Sequence, residues 1–406
     1  MHILIVTPHF WPENFRINDF ADGFIERGHK ITVLTATPDY PEGKIYHGFG
    51  FFKRSHEIWH GIDIYRSPTI PRGKGKRWQL FINYLSFVIS GSITSLFFIR
   101  KQIEIIFVHE PSPITVGIPA IVLKKIKRIP MIFWVLDLWP ESVIAAGNLK
   151  SGFIPKLLIP LVKYIYINSD KILVSSKGFV SSIIEKGIEE EKIIYFPQWA
   201  ETIFKPIEIH DKSIDDKFPV GFTILFAGNI GEAQDFNAIL NAAELLKTHE
   251  NIHWIILGDG RKFNFVREQI RLRQIDKTFH LLGKYPLEVM PHFYSRASAL
   301  LLSLKKEKIF SLTVPAKLQS YLACGRPILT MLDGEGSAIV DQSKAGLTCG
   351  AGDFTSLAEN ILRMYSMDKK YLDLMGKNGR EYYLANFERN MLFDKLEKIF
   401  IKHLNK

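Results

Sequence analysis

Lys317 follows Pro315 by two positions and precedes Gly325 by eight, in the run Thr313–Thr330, TVPAKLQSYLACGRPILT. Proline suits a first helical turn and glycine a helix end, so the spacing predicts a helix of two to three turns, capped by Thr313 and followed by an apolar strand. The free N–H groups of such a turn point toward the carboxyl edge of a parallel sheet, where phosphates bind. A lysine there opposes the helix dipole unless an anion offsets it. Asp137 ends the apolar run MIFWVL just before Trp139 and Glu141. A carboxylate at a strand end can orient or deprotonate a hydroxyl while an exposed aromatic ring stacks on the ligand; Glu141 is the alternative acid, and helix capping is the competing role for either. His109 and Glu110 end the run IEIIFV in the same way. After the first apolar run, Asn14, Phe15 and Arg16 open a helix whose amides, with a guanidinium, suit a phosphate.

These groups need rigid elements to hold them, and the chain supplies an alternation of short apolar runs with helical stretches, the pattern of parallel α/β units. HILIVT, KITVLTA, IEIIFV, MIFWVL and KILVSS read as strands of a first domain; FTILFAG, HWIILGDG, FHLLG, ALLLSL and RPILTM read as strands of a second. With 406 residues, two doubly wound domains are expected. The pattern breaks over residues 193–206, IIYFPQWAETIFKP, which reads as irregular chain, giving domains of residues 1–198 and 199–380. The terminal stretch 381–406 carries apolar residues at helical spacing and can complete the first domain or pack on the second.

Hydrophobic residues make up 47% and charged ones 23%, the balance of a globular enzyme rather than a disordered chain. Cys324 and Cys349 provide neither a disulfide framework nor a metal-ligand spacing, so a reducing cytoplasm is expected. The start, MHILIVTPHFWPE, reads as a buried strand without the basic opening of a secretory leader. A net charge of +10, of which +7 falls in residues 1–200, suits phosphates or anionic lipid, and no basic and aromatic RNA-binding signature accompanies it. Leu80–Ile99 is long enough to cross a bilayer but is interrupted by serines, Asn83, Gly91 and Thr94, with basic residues on both flanks, so a buried or surface-docked helix is expected. Lys150–Tyr166 interleaves large apolar residues with Lys156 and Lys163 and can lie flat on an anionic bilayer or be buried, as can the basic cluster Arg72–Arg77 beside the apolar helix.

Five blocks in order resemble bacterial glycosyltransferases of family 4 that build O-antigen and capsule repeat units, notably the N-acetyl-L-fucosaminyltransferase-like group. They are HFWPENFRINDFADGFIERGHKITVLTATPDYPEG from His9, DLWPES at 137–142, FAGNIGEAQDF at 226–236, LGDG at 257–260 and VPAKLQSYLACGRPI at 314–328. The resemblance implies a GT-B fold, two Rossmann-like domains facing a central cleft, with the acceptor on the first and the nucleotide sugar on the second. It implies a UDP-sugar as donor substrate, no separate cofactor, no metal and no nucleic acid. The acceptor it implies is a sugar on undecaprenyl diphosphate, reached by a cytoplasmic enzyme peripheral to the inner face of the membrane, with retained configuration.

By that resemblance, His109 lies near the transferred sugar and can donate a hydrogen bond to it, while Gly228, Asn229, Gly231 and Gln234 surround the diphosphate. Most of the family places an arginine and a lysine where this chain has Asn229 and Gln234, which leaves Lys317 as the main positive charge, with Lys284 and the Lys305–Lys308 run as further candidates. Two family glutamates fall at Leu312 and Ser320, so Ser311, Leu312, Thr313 and Gln319 are the expected sugar and ribose contacts in a variant site. Gly258, of the LGDG turn, is expected beside the base or ribose. An epimerase of the same fold and a non-catalytic scaffold are the competing readings.

Overall fold

The computed structural model describes residues 1–99, 101–145, 153–208 and 211–404, the side chains of residues 153–157 excepted. Two compact units divide it, Met1–Pro197 with Phe393–Lys406, and Gln198–Leu392. The first is built on eight strands: β1 (His2–Val6), β2 (Lys30–Ala36), β3 (His56–Trp59), β4 (Ile62–Ser67), β5 (Ile105–Glu110), β6 (Met131–Val135), β7 (Lys171–Val174) and β8 (Ile193–Tyr195). Their order is β3-β4-β2-β1-β5-β6-β7-β8, parallel except for the β3–β4 pair. β1, β5 and β6 are buried along nearly their whole length, because helices on both faces of a parallel sheet leave no wet side.

The second unit holds β9 (Phe222–Ala227), β10 (Ile252–Leu257), β11 (Phe279–Gly283), β12 (Ala299–Ser303), β13 (Ile328–Met331) and β14 (Gly346–Cys349). They pair in parallel in the order β11-β10-β9-β12-β13-β14. In each sheet the winding reverses once, between β1 and β5 and between β9 and β12. At such a reversal the two following loops diverge, leaving a crevice beyond the carboxyl ends of the strands.

Four elements depart from the sequence expectation. β3, β4 and β14 are strands that no apolar run announced, and Ile193–Tyr195, read as irregular, is the edge strand β8. β3, β8 and β14 are edge strands, which need little continuous apolar sequence since one flank has no neighbour. The stretch Leu80–Ile99 is helical as far as Phe97, in α2 (Arg77–Phe97), which follows α1 (Arg16–Glu26). α2 packs on α3 (Gly117–Lys127), where a side chain at Gly91 would come within 3.1 Å of Pro119. The last helix, Arg389–Leu404, sends Phe393 and Phe400 onto Phe20, Phe24 and Phe107 of the first unit.

Candidate active site

At the β9–β12 reversal the chain after β9 turns at Gly228, whose φ of 139° disfavours any side chain. A Cβ on Gly258 would sit 1.8 Å from the Gly228 carbonyl oxygen, and one on Gly260 would sit 2.4 Å from that of Ile230. These glycines let the loops after β9 and β10 touch backbone to backbone. The loop after β9 then closes on itself: Gly231 N–H donates to Gln234 Oε1 at 3.2 Å, and Ser303 Oγ donates to the Gln234 carbonyl at 2.9 Å. Asp235, at φ 49°, caps the helix Phe236–Leu245. Asn229 lies against Gly231 and Gly260 in this tight turn.

The helix carrying Lys317 runs Ala316–Cys324 and ends at Gly325 in the left-handed region, as the spacing predicts. Its start differs from expectation. Pro315 is the capping residue, without a side-chain bond, and Thr313 donates instead to the Ile309 carbonyl at 2.8 Å, closing the short helix Lys308–Leu312. Gln319 is buried; with its amide oriented to suit its surroundings, the nitrogen donates to the Ala316 and Pro315 carbonyls at 3.0 and 3.2 Å, which turns it onto its own helix rather than outward. Ser320 is buried too, while Ser311, Leu312 and Thr313 are half-buried ahead of the helix.

Lys317 is half-buried, with its ammonium 4.0 Å above the Phe226 ring and 2.9 Å from where a Cβ on Gly228 would lie. Among the described residues it makes no ion pair or hydrogen bond. Burial lowers its pKa to about 7, and no neighbouring anion raises it again. A cation–π contact compensates only part of the lost hydration. Of the other lysines offered for this charge, Lys305 binds Glu232, as does Lys262, which together lower that carboxyl to about 2, and Lys284 lies 3.7 Å from Asp259; Lys306 and Lys308 are exposed.

In the first unit, the β1–β5 reversal brings together Thr7, His9 and Glu13 after β1, and His109 and Glu110 at the end of β5. Thr7 Oγ1 donates to the His9 carbonyl at 3.1 Å and lies 2.9 Å from His109 Nδ1. With its proton so used, the threonine accepts from Nδ1–H, which assigns the lone pair of the buried His109 to Nε2. Burial, then the charge of His9, lowers His109 to about 3, so the ring is neutral. In that state Nε2 is a hydrogen-bond acceptor, whereas the sequence reading offered His109 as a donor.

Asp137 accepts from Trp139 Nε1 at 3.2 Å, and burial raises its pKa against these and other hydrogen bonds. Trp139 was expected to be exposed for stacking. It is buried, its indole N–H shared between Asp137 and Ser112, because the loop folds back under the β5 end. Glu141 accepts from Ser182 and Lys186, both at 2.6 Å, so it is engaged in the fold. Glu110 has a fully buried carboxyl, takes the Asp137 N–H at 3.3 Å and has Oε1 without a partner; sequence reasoning placed it at the strand end but passed over any role of its own. It also passed over Glu13, which holds His9 Nδ1 at 2.6 Å and the Asp39 and Tyr40 amides at 2.8 and 2.6 Å. Glu13 could have been suspected from its place four residues after a histidine in a loop. Asn14 is exposed; Phe15 stacks on His9 at 4.7 Å, and Arg16 starts α1.

The arrangement in the second unit suits an anion held by a lysine, a helix start and a tight glycine turn; that in the first suits hydroxyl groups. Residues 14–199 match the family described as glycosyl transferase 4-like domain, and residues 221–367 match glycosyl transferases group 1. The chain is 27% identical over 271 residues to the probable glycosyltransferase WbjE of Pseudomonas aeruginosa, covering 64% of this chain and 66% of that protein. It is 24% identical over 348 residues to the putative colanic acid biosynthesis glycosyl transferase WcaI of Escherichia coli K12, covering 80% and 82%. Among solved structures, HepE of Anabaena, in complex with UDP and glucose, superposes with a TM-score of 0.71 at 11% identity over 98% of both chains. WaaG, a glycosyltransferase involved in lipopolysaccharide biosynthesis, gives 0.66 at 12% identity over 95% of both. The fold is GT-B, two Rossmann-like domains. With both of its domains matched in order, the chain belongs to the glycosyltransferases, a glycosyl transferase 4-like domain joined to a glycosyl transferases group 1 domain.

Proposed function

We propose that this protein transfers an N-acetylated amino sugar, N-acetyl-L-fucosamine being the leading candidate, from UDP to a sugar carried on a lipid diphosphate, with retained configuration. The reaction serves surface-polysaccharide assembly at the inner face of the bacterial membrane. What carries the reading is Lys317, a cation without a described counter-charge at the sheet reversal, whose pKa of about 7 rises once an anion arrives. Relatives named for colanic acid and lipopolysaccharide biosynthesis, and a fold neighbour solved with UDP, support donor and pathway class.

In the reaction, the bond between the sugar carbon and the UDP phosphate oxygen breaks as the acceptor hydroxyl oxygen bonds to the same carbon and its proton passes to the departing phosphate oxygen. Charge grows on the departing diphosphate, and preorganised donors there supply most of the rate. Lys317, protonated when the donor binds, and the first-turn amides of its helix take that role. His109 Nε2 accepts a hydrogen bond from a hydroxyl of the transferred sugar, and Asp137, its pKa raised by burial, orients the acceptor hydroxyl. No step here draws on a metal ion or a further cofactor.

Purified protein assayed against a panel of nucleotide sugars with lipid-diphosphate-linked acceptors should release UDP only when both are present. Lys317→Ala should weaken UDP binding by about tenfold or more and lower turnover by about a hundredfold. Unchanged UDP affinity and turnover in that variant would overturn the reading. Release of UDP independent of the acceptor, or an isomerised nucleotide sugar, would point to hydrolysis or epimerisation.

A further inference from the structure

α2 is built inside out. Its buried positions are Phe87, Gly91, Thr94 and Ser95, three of them small or polar. Beyond Arg77, each of its exposed positions holds a large apolar side chain: Trp78, Phe81, Leu85, Ile89, Ile93 and Phe97, between 46% and 65% accessible. These recur every three or four residues and so form one stripe along a helix about 30 Å long. A helix on a water-facing surface carries its polar residues there. Single exposed apolar residues are ordinary; a contiguous row of six marks an interaction surface.

The helix does not cross a bilayer, because its other face packs on α3 and lies beside β2 and β4. Basic residues bracket the stripe. Exposed Lys74, Lys76 and Arg77 stand at its start; near its end, Lys127 donates to the Ile99 carbonyl at 2.9 Å, and Lys125 and Arg128 are exposed on the same turn of α3. Phe98 and Ile126 extend the apolar surface at that end. We infer that the α2 stripe docks the protein on the surface of an anionic bilayer, the six side chains entering the acyl boundary and the two basic clusters meeting lipid phosphates. A second copy fits less well. In a two-fold pairing of this stripe, the clusters at its ends would face one another as like charges.

Of the two segments the sequence offered, this places the membrane face on the apolar helix beside Arg72–Arg77 rather than on Lys150–Tyr166. In the helix α4 (Phe153–Asn168), Ile165 and Tyr166 are buried, and Ile165 would contact any side chain at Gly117. Lys150 and the side chains of Phe153, Ile154, Lys156 and Leu157 lie outside the described residues. The inference deepens the membrane part of the proposed function, and its experiment uses neither donor nor acceptor, so the two can fail separately.

The full chain is tested by co-sedimentation with vesicles of phosphatidylcholine alone and of phosphatidylcholine mixed with phosphatidylglycerol. Wild type should bind the mixed vesicles, and the combined variant Phe81→Gln, Ile89→Gln, Ile93→Gln should lose about tenfold or more of that partitioning, with its melting temperature and UDP affinity kept. Lys74→Glu with Lys76→Glu should reduce the preference for phosphatidylglycerol over pure phosphatidylcholine. Equal sedimentation of the triple variant and wild type overturns the inference. So does a wild type that ignores both vesicles and self-associates through these three residues, as read by analytical ultracentrifugation.

Discussion

At the scale of the residue, Lys317 ties donor affinity to pH. Its ordinary pKa of 10.5 falls to about 7 in the folded protein, so above that pH a bound diphosphate must first draw a proton onto the amine. UDP affinity should fall by up to about tenfold per pH unit above neutrality, and calorimetry in buffers of different ionisation heat should show proton uptake on binding. Lys317→Met should abolish both. The linkage also acts on folding: between pH 7 and 10.5 the unfolded chain holds the extra proton, so the Lys317 contribution to stability rises with pH in that window, and the stability difference between wild type and the methionine variant changes accordingly. Glu110 works in the opposite sense. Burial, then the charge of Asp137, raise its carboxyl well above the ordinary 4.5, so the folded chain keeps a proton that the unfolded chain loses, and stability falls as pH rises past that value. Glu110→Gln should raise the melting temperature at neutral pH, with the gain vanishing by about pH 4.

At the scale of the element, the helix Ala316–Cys324 was legible because Pro315 and Gly325 act on the backbone directly, through a fixed φ and a permitted positive φ. Its cap was not legible, since the Thr313 hydroxyl could accept from a first-turn N–H or donate to an earlier carbonyl, and only the neighbouring short helix decided between them. The same limit applies to Trp139, where nothing local distinguishes an exposed ring from one bonded to Asp137 and Ser112. Glycine contacts between loops belong to this scale as well. Gly258→Ala would drive a Cβ into the Gly228 carbonyl at a φ of 134°, and urea unfolding should show a loss of about 2–4 kcal/mol, together with weakened UDP binding.

At the scale of the whole molecule, the terminal helix belongs from Phe393 onward with the first unit, although it follows the second in the chain. Phe400 is fully buried against Phe24 and Phe107, and Arg27 binds Asp394 at 2.5 Å. Phe400→Ala should cost about 3–5 kcal/mol in the unfolding of the first unit, measured by denaturant titration, while UDP affinity stays near wild type. By itself the sequence determined the α/β alternation, the two-domain count and the strand-end placement of Lys317, His109 and Asp137. Hydrophobic period, proline and glycine are local signals that each stretch carries alone. Only the tertiary structure decided which strands flank each reversal, that Phe226 lies beneath the Lys317 ammonium, and that the apolar face of α2 points outward. Those facts depend on pairings between residues far apart in the chain, where burial and partner, not residue type, fix charge state and exposure.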